Sequence, residues 1–158
     1  MTFFKSITRT KVSKIIWVFI FSLVSSLSVI TVSNAENTVG VLIAAELSPI
    51  NKASVLEIRR LFLGLPSSSD NLIQNTVINL SDPVAYKEFL KNIMHMTDSG
   101  YRRKIVKRIF RQGGKKVNEI EDIEEIVNYL TNNPYDVSFM TADVAKKTKG
   151  IKVIQVLW

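Results

Sequence analysis

The first 35 residues have a composition unlike the rest of the chain, and this break decides which residues can form a folded domain. The leader carries four basic residues and no acidic one: Lys5, Arg9, Lys11 and Lys14. Residues 15–32 are apolar with interspersed serines, and residues 33–35 place Ser and Ala at the two positions that a signal peptidase reads. We therefore predict a cleavable signal peptide over residues 1–35. The alternative is an uncleaved anchor, because 18 apolar residues are near the lower limit for crossing a bilayer.

Residues 36–158 remain to fold, and these 123 residues suit one domain rather than two. The sequence contains no cysteine, so a hydrophobic core has to stabilise the domain without disulfides. The whole chain has 21 Lys and Arg against 14 Asp and Glu, and without the leader 17 basic residues oppose the same 14 acidic ones. This modest excess argues against a nucleic-acid partner. We expect an exported, periplasmic domain with no stable membrane insertion after cleavage.

Short apolar runs alternate with amphipathic segments along residues 36–158. Strands are predicted over residues 39–44, 76–80, 137–140 and 151–157, and helices over residues 54–63, 82–94, 98–111, 118–130 and 141–147. Capping signals mark four helix starts: Ser54 with Glu57, Asp82 with Pro83, Thr97 with Asp98, and Asn118 with Glu121. Gly64 is predicted to end the first helix in a left-handed conformation. Strands that alternate with helices predict a single-domain α/β sandwich around a mostly parallel or mixed sheet.

The helix predicted over residues 98–111 has one apolar and one basic half. The apolar half consists of Tyr101, Ile105, Val106, Ile109 and Phe110. The basic half consists of Arg103, Lys104, Lys107, Arg108 and Arg111, and Lys115 and Lys116 continue it. Three interpretations stay open: a solvated helix face, a surface for an anion or an acidic partner, and a surface for anionic membrane headgroups.

The joint between the strand at residues 76–80 and the next helix is a candidate anion site. The first N–H groups of a helix have no partners within it and carry the positive end of its dipole. However, Pro83 removes one such donor, and the Asp82 carboxylate can accept from the others as the helix cap. The residue chemistry therefore favours a self-capped helix, with a bound oxyanion as the alternative.

Residues that carry catalysis or hold metals are scarce in this sequence. His95 is the only histidine, cysteine is absent, and no Gly-x-Ser-x-Gly or Gly-rich phosphate loop occurs. One histidine cannot build a catalytic triad or a His-rich metal site, and we interpret His95 as a helix C-terminal cap or a partly buried filler. We expect no enzyme activity, no catalytic residue, no cofactor and no metal site.

Five segments follow one another in an order that is more specific than any one of them. These segments are VGVLIA, SVLEIRRLFLG, INLSDPVAYKEFL, YRRKIVKRIFRQGGKKV and NNPYDVSFM. The set resembles the short exported relatives of the phosphate-binding proteins of ABC uptake systems, which have the type 2 periplasmic binding fold. In the phosphate-binding relatives a Ser-Gly-Thr motif begins the helix that matches residues 81–85, and this chain has only Ser81 of that chemistry.

The resemblance implies a substrate-binding-protein-like domain that binds phosphate or another small oxyanion noncovalently. On that basis the ligand-binding residues would be Ser81, Asp82 and Val84 at the joint, with Arg103 and Lys107 contributing from the basic helix. The alternative is a ligand-free interaction module that docks on an envelope protein through the helix at residues 98–111.

Overall fold

The central strand of the fold is β1, and all six of its residues are buried. The structure, a computed structural model, describes residues 38–66, 72–113 and 115–158, so the predicted signal peptide lies outside the described residues. The elements are β1 (Gly40–Ala45), α1 (Val55–Phe62), β2 (Val77–Asn79), α2 (Pro83–Phe89) continued by a π-helical segment (Leu90–Met94), α3 (Asp98–Gln112), β3 (Asn118–Ile120), α4 (Ile123–Asn132), β4 (Val137–Thr141), α5 (Ala142–Lys147) and β5 (Ile151–Val156). No helix in the described ranges has the length and apolar character that a membrane span requires.

The sheet is mixed. β1 lies between β4 and β5 and is antiparallel to both, with Leu42 opposite Phe139 in the β1–β4 register. β2 and β3 form a separate parallel pair, and an isolated parallel bridge between Thr76 and Val137 connects this pair to β4. The α/β class and a mixed sheet are thus confirmed, whereas a mostly parallel sheet is wrong. The hydrophobic pattern of the sequence could not distinguish a mixed sheet from a mostly parallel one. A strand buried on both faces is a continuous apolar run whether its neighbours are parallel or antiparallel to it.

Side chains complete the connection between β2 and β4. Beyond the bridge at Thr76, Ser138 Oγ donates to the carbonyl oxygen of Val77 at 2.9 Å, and Asn79 Nδ2 donates to that of Phe139 at 2.9 Å. Both polar side chains are fully buried, so these bonds satisfy groups that would otherwise destabilise the core. The residues that lead into β2, among them Thr76, are called the start of β2 below and are therefore fixed against the main sheet.

An aromatic cluster forms the centre of the larger core. The rings of Phe89 and Phe139 stack with centroids 4.0 Å apart, and Phe62 packs on Phe89 at 4.7 Å. Tyr101, the first apolar residue of α3, is buried beside them and donates its hydroxyl hydrogen to the carbonyl oxygen of Phe62. This contact fixes the start of α3 against the C-terminal end of α1, and both helices contribute to the site described below.

Local sequence signals set several helix ends as predicted. Asp82 caps α2, because its Oδ1 accepts from the N–H of Ala85 at 2.9 Å, and Thr97 caps α3 by accepting from the N–H of Gly100 at 3.2 Å. Gly64 follows α1 with a left-handed φ of +70°. Ser54 is the N-cap residue of α1, but its side chain makes no capping hydrogen bond.

The predicted helix start at Asn118 is wrong. Residues 118–120 form β3, whose pairing with β2 engages the backbone that a helix would need. The helix begins instead at Ile123, where Asp122 Oδ1 accepts from the N–H of Glu125 at 2.8 Å. Strand pairing thus overrides the local capping preference at Asn118, since a nonlocal contact outweighs a local one.

Candidate functional site

The joint between β2 and α2 is closed by its own side chains. Ser81 directs both its N–H and its hydroxyl to Asn79 Oδ1, at 2.9 and 2.6 Å. The second carboxylate oxygen of Asp82 accepts from Thr141 Oγ1 at 3.0 Å, while the first caps the helix at Ala85. The self-capped helix predicted from the sequence is confirmed. The groups that would hold an oxyanion are therefore largely engaged within the protein.

The other predicted ligand residues lie on exposed surface. Val84 is 53% exposed in the first turn of α2. Arg103 donates from Nε to the carbonyl oxygen of Ser99 in its own helix at 3.2 Å, and Lys107 is exposed. Within the described part of the chain, neither basic side chain forms a hydrogen bond or ion pair with residues 81–84. The structure thus does not join these two groups of predicted residues into one site.

A cavity of about 350 Å³ lies elsewhere, among the C-terminal ends of α1 and α3 and the start of β2. Its apolar lining consists of Leu61, Leu65, Pro66 and Val117. Its polar lining consists of Gln74, Asn75, Thr76, Arg108, Lys115 and Lys116. Among the described lining residues every charged side chain is basic, which favours an anion over a cation.

Two glycines bring these separate segments together. Gly113 ends α3 with a left-handed φ of +62°, which lets the chain turn back toward α1. At Gly64 a Cβ atom would overlap the carbonyl oxygen of Lys115, so only glycine allows the two segments to approach this closely. The result is that Lys115 and Lys116 lie beside the end of α1 and line the cavity.

Two buried polar atoms of the cavity residues have no hydrogen-bond partner among the described residues. They are Thr76 Oγ1, on a residue that is 4% exposed, and Arg108 Nη1. Buried polar groups in proteins are nearly always satisfied, because leaving one unpaired costs about 1–3 kcal/mol. Both atoms are out of reach of solvent, so an acceptor oxygen bound in the cavity would contact them only after a local shift of the surrounding side chains. Arg108 lies just before the last turn of α3, and this Nη1 does not cap the helix carbonyls.

A buried carboxylate fixes the polar edge of the cavity. Asp136, which is 2% exposed, accepts at Oδ1 from the backbone N–H and the Nδ2 of Asn75, at 3.0 and 3.1 Å. Its Oδ2 accepts from the hydroxyl of Tyr129 at 2.9 Å. Burial, followed by this hydrogen bond, raises the pKa of Tyr129, which keeps the hydroxyl protonated as a donor. The network holds the residue that precedes Thr76.

His95 has a structural role. It follows the π-helical segment with a left-handed φ of 53°, and its Nδ1 lies 3.0 Å from the carbonyl oxygen of Lys91, to which it donates. Its Nε2 then accepts from Arg59 Nη2 at 2.6 Å. The interpretation as a C-terminal cap is confirmed, although the side chain is exposed rather than partly buried. In the described ranges, no three His, Asp or Glu side chains are grouped to hold a metal ion.

The sequence pointed to part of this cavity. Arg108, Lys115 and Lys116 belong to the basic stretch for which an anion-binding surface was one interpretation. Thr76 gave no signal beyond its place in a predicted strand, since a buried hydroxyl without a partner is visible only in the packed structure.

Comparisons with known proteins do not place this chain in a family. A scan against family models finds no matching family, and a search among curated proteins finds no match. The resemblance to phosphate-binding-protein relatives therefore stays a prediction.

Proposed function

We propose that this protein binds a small anion noncovalently, in the cavity formed by α1, α3 and the start of β2, and does not act as an enzyme. The observation that supports this most is that the charged side chains among the described lining residues, Arg108, Lys115 and Lys116, are all basic. The proposal keeps the noncovalent anion binding that the family resemblance implies. It moves the binding site away from the joint at Ser81 and Asp82.

The lining residues have distinct roles in this proposal. The guanidinium of Arg108 and the hydroxyl of Thr76 donate hydrogen bonds to the anion, and a charge-assisted bond from arginine is the stronger of the two. Lys115 and Lys116 are exposed and attract the anion over a distance without needing a fixed geometry. Binding should therefore weaken with salt, since exposed charges are screened.

The cellular setting of the proposal follows from the sequence. A periplasmic domain of the type 2 periplasmic binding class, released by cleavage after Ala35, would bind its ligand in the envelope. One domain of 123 residues encloses less of a ligand than two lobes would, so affinities in the micromolar range or weaker are expected.

Titration calorimetry on matched variants tests the anion site. The purified protein is titrated at low salt with inorganic phosphate, sulfate and phenyl phosphate, and Arg108→Gln should weaken binding at least tenfold, because a hydrogen bond to a charged group contributes about 1.5–3 kcal/mol. Arg103→Gln removes an exposed arginine of the same helix outside the cavity and should change affinity less than twofold. Thr76→Val should weaken binding without lowering stability, since it removes an unpaired buried hydroxyl. Binding of none of these anions, or equal losses for both arginine variants, would contradict the proposal.

The outer face of α3 supports a second candidate function, docking onto an acidic envelope protein. Phe110 is 84% exposed and Val106 is 51% exposed, although both belong to the apolar half of the helix. Exposed basic residues flank them, including Lys107 and Arg111. An exposed aromatic side chain surrounded by arginine and lysine is typical of an interface with a negatively charged partner.

Site-specific crosslinking tests the docking candidate. A photoreactive amino acid at position 110 should crosslink one acidic protein, while the same group at Leu56, which is 70% exposed on α1, should not. The identified protein, once purified, should bind the wild type and fail to bind Lys107→Glu/Arg111→Glu. Crosslinks to lipid alone would favour the membrane interpretation and contradict docking on a protein.

A further inference from the structure

We propose that the anion bound in this cavity is organic, with one carboxylate or phosphate group attached to a compact apolar body. This inference rests on the proposed function and names the class of its ligand. It differs from the family expectation, which is inorganic phosphate.

The size of the cavity is the first reason. Its volume of about 350 Å³ holds roughly a dozen water molecules at ~30 Å³ each. A bare tetrahedral oxyanion has five heavy atoms and would leave most of that space to solvent. Cavities that take organic ligands begin at roughly 300 Å³. The cavity therefore suits a ligand with several carbon atoms besides its charged group.

The composition of the lining is the second reason. Leu61 and Val117 are buried at 3% and 8% exposure, and Leu65 and Pro66 extend this apolar wall. An inorganic oxyanion that met Arg108 would gain nothing from such a wall, because apolar surface offers no hydrogen bonds. An attached hydrocarbon or aromatic body would cover it, and each buried methylene strengthens binding about fourfold.

The charged groups limit the ligand to an anion with a small head. Arg108 and Thr76 line the cavity, and a guanidinium and a hydroxyl can each donate to one oxygen of a carboxylate or phosphate. Lys115 and Lys116 are exposed, so they attract the charge without filling the cavity. A neutral amide of the same shape can accept a hydrogen bond from the guanidinium but lacks the negative charge, so it is expected to bind at least tenfold more weakly.

Two ligand series test this inference by calorimetry. The first compares butanoate, hexanoate and octanoate below their micelle concentrations, and the second compares phosphate with phenyl phosphate. We expect hexanoate to bind roughly fifteenfold more tightly than butanoate, and phenyl phosphate to bind more tightly than phosphate. Hexanamide, the neutral control, should bind at least tenfold more weakly than hexanoate.

Variants of the apolar wall separate this inference from the proposed function. Leu65→Gln should reduce the gain from chain length, whereas Leu56→Gln, at an exposed leucine of α1 outside the cavity, should change neither that gain nor phosphate binding. Phosphate binding as tight as phenyl phosphate binding, with no effect of chain length, would overturn the organic ligand and leave the anion site intact. Failure of every anion to bind would overturn both proposals.

Discussion

Gly64 is the residue on which the shape of the cavity most depends. Its backbone has a φ of +70°, and a side chain there would overlap the carbonyl oxygen of Lys115. Gly113, at the other end of the same cavity, has a similar φ of +62°, but apart from its chain neighbours and its own helix backbone no described residue lies within 4 Å of where its Cβ would be. The two glycines therefore share a backbone requirement and differ in the space around them.

Replacing each glycine with alanine separates these two effects. Gly113→Ala should lower the free energy of unfolding by about 1–2 kcal/mol, which is the cost of a left-handed conformation for a residue with a Cβ. Gly64→Ala should lower it by about 2–4 kcal/mol, because the overlap with Lys115 adds to that cost. Urea denaturation measures both values. Equal losses would show that the contact between the end of α1 and Lys115 is not close.

Of the two roles of Gly64, the sequence predicted the left-handed helix end but not the close approach of Lys115. A glycine after the apolar pattern of α1 indicates a left-handed helix end, and the structure has one. The approach of Lys115 was not predictable, since 51 residues separate the two positions along the chain and no local pattern encodes their contact.

Among the elements, α4 shows which of two nearby residues, Asp122 or Asn118, caps the start of the helix. Asp122 caps α4, and Asn118, the other candidate, donates from Nδ2 to the hydroxyl of Tyr129 at 3.2 Å from within β3. Asp122→Ala should therefore lower the free energy of unfolding by about 1 kcal/mol, and Asn118→Ala by less than about 0.5 kcal/mol. Thermal or urea unfolding of the two variants measures this difference, and the reverse order would contradict a helix that begins at Ile123.

A polar contact joins α2 to the start of α3 and makes stability depend on pH. Asp98 accepts a hydrogen bond from the hydroxyl of Tyr86 and further bonds from Arg102 Nε at 3.0 and 3.1 Å. The bond from Tyr86, with Arg102 adding to it, lowers the pKa of the Asp98 carboxyl. Burial, followed by the bond to Asp98, raises the pKa of Tyr86, so its hydroxyl stays protonated.

The sign of this pH dependence follows from the lowered pKa. The contribution of Asp98 is present above the pKa of an unfolded aspartate, near 4, and is lost as the pH falls through the lower folded value. Asp98→Asn should therefore reduce the free energy of unfolding at pH 7, by less than about 1 kcal/mol because the pair is half exposed, and match the wild type near pH 2. Asp143→Asn, in the exposed pair with Lys146, is the control and should change little. A difference that stays constant from pH 7 to pH 2 would contradict this role.

The elements were more predictable than their arrangement. Asp82 with Pro83 and Thr97 with Asp98 are signals contained within a few residues, and both helices begin where those signals lie. β3 is different, because a three-residue strand exists only through its pairing with β2. The direction of β4 and β5 relative to β1 is likewise a property of the whole chain rather than of any segment.

At the scale of the whole molecule, the cavity is assembled from three segments that are distant in sequence. The end of α1, the residues that lead into β2, and Arg108, Gly113 and residues 115–117 line it together, and Asp136 holds Asn75 among them. The basic stretch of α3 was evident in the sequence. Which of its members line a cavity and which face outward was not, because that depends on the turn at Gly113.

Export is a prediction that concerns the whole chain. The protein recovered from the envelope fraction of expressing cells should begin at Glu36, because Ser33 and Ala35 satisfy the signal peptidase. Mass spectrometry of the intact protein measures the N-terminus. A mass that includes the leader would show that it is retained as an anchor.

A crystal structure with p-bromophenyl phosphate tests the anion site most directly, since bromine and phosphate mark the two ends of the ligand separately. We predict phosphate oxygens within hydrogen-bond distance of Arg108 Nη1 and Thr76 Oγ1, and an anomalous bromine peak against Leu61 and Leu65. The same crystals of Arg108→Gln should show neither feature. Phosphate bound at Ser81–Val84, or only on the outer face of α3, with the cavity empty in crystals of the wild type, would contradict the proposed site.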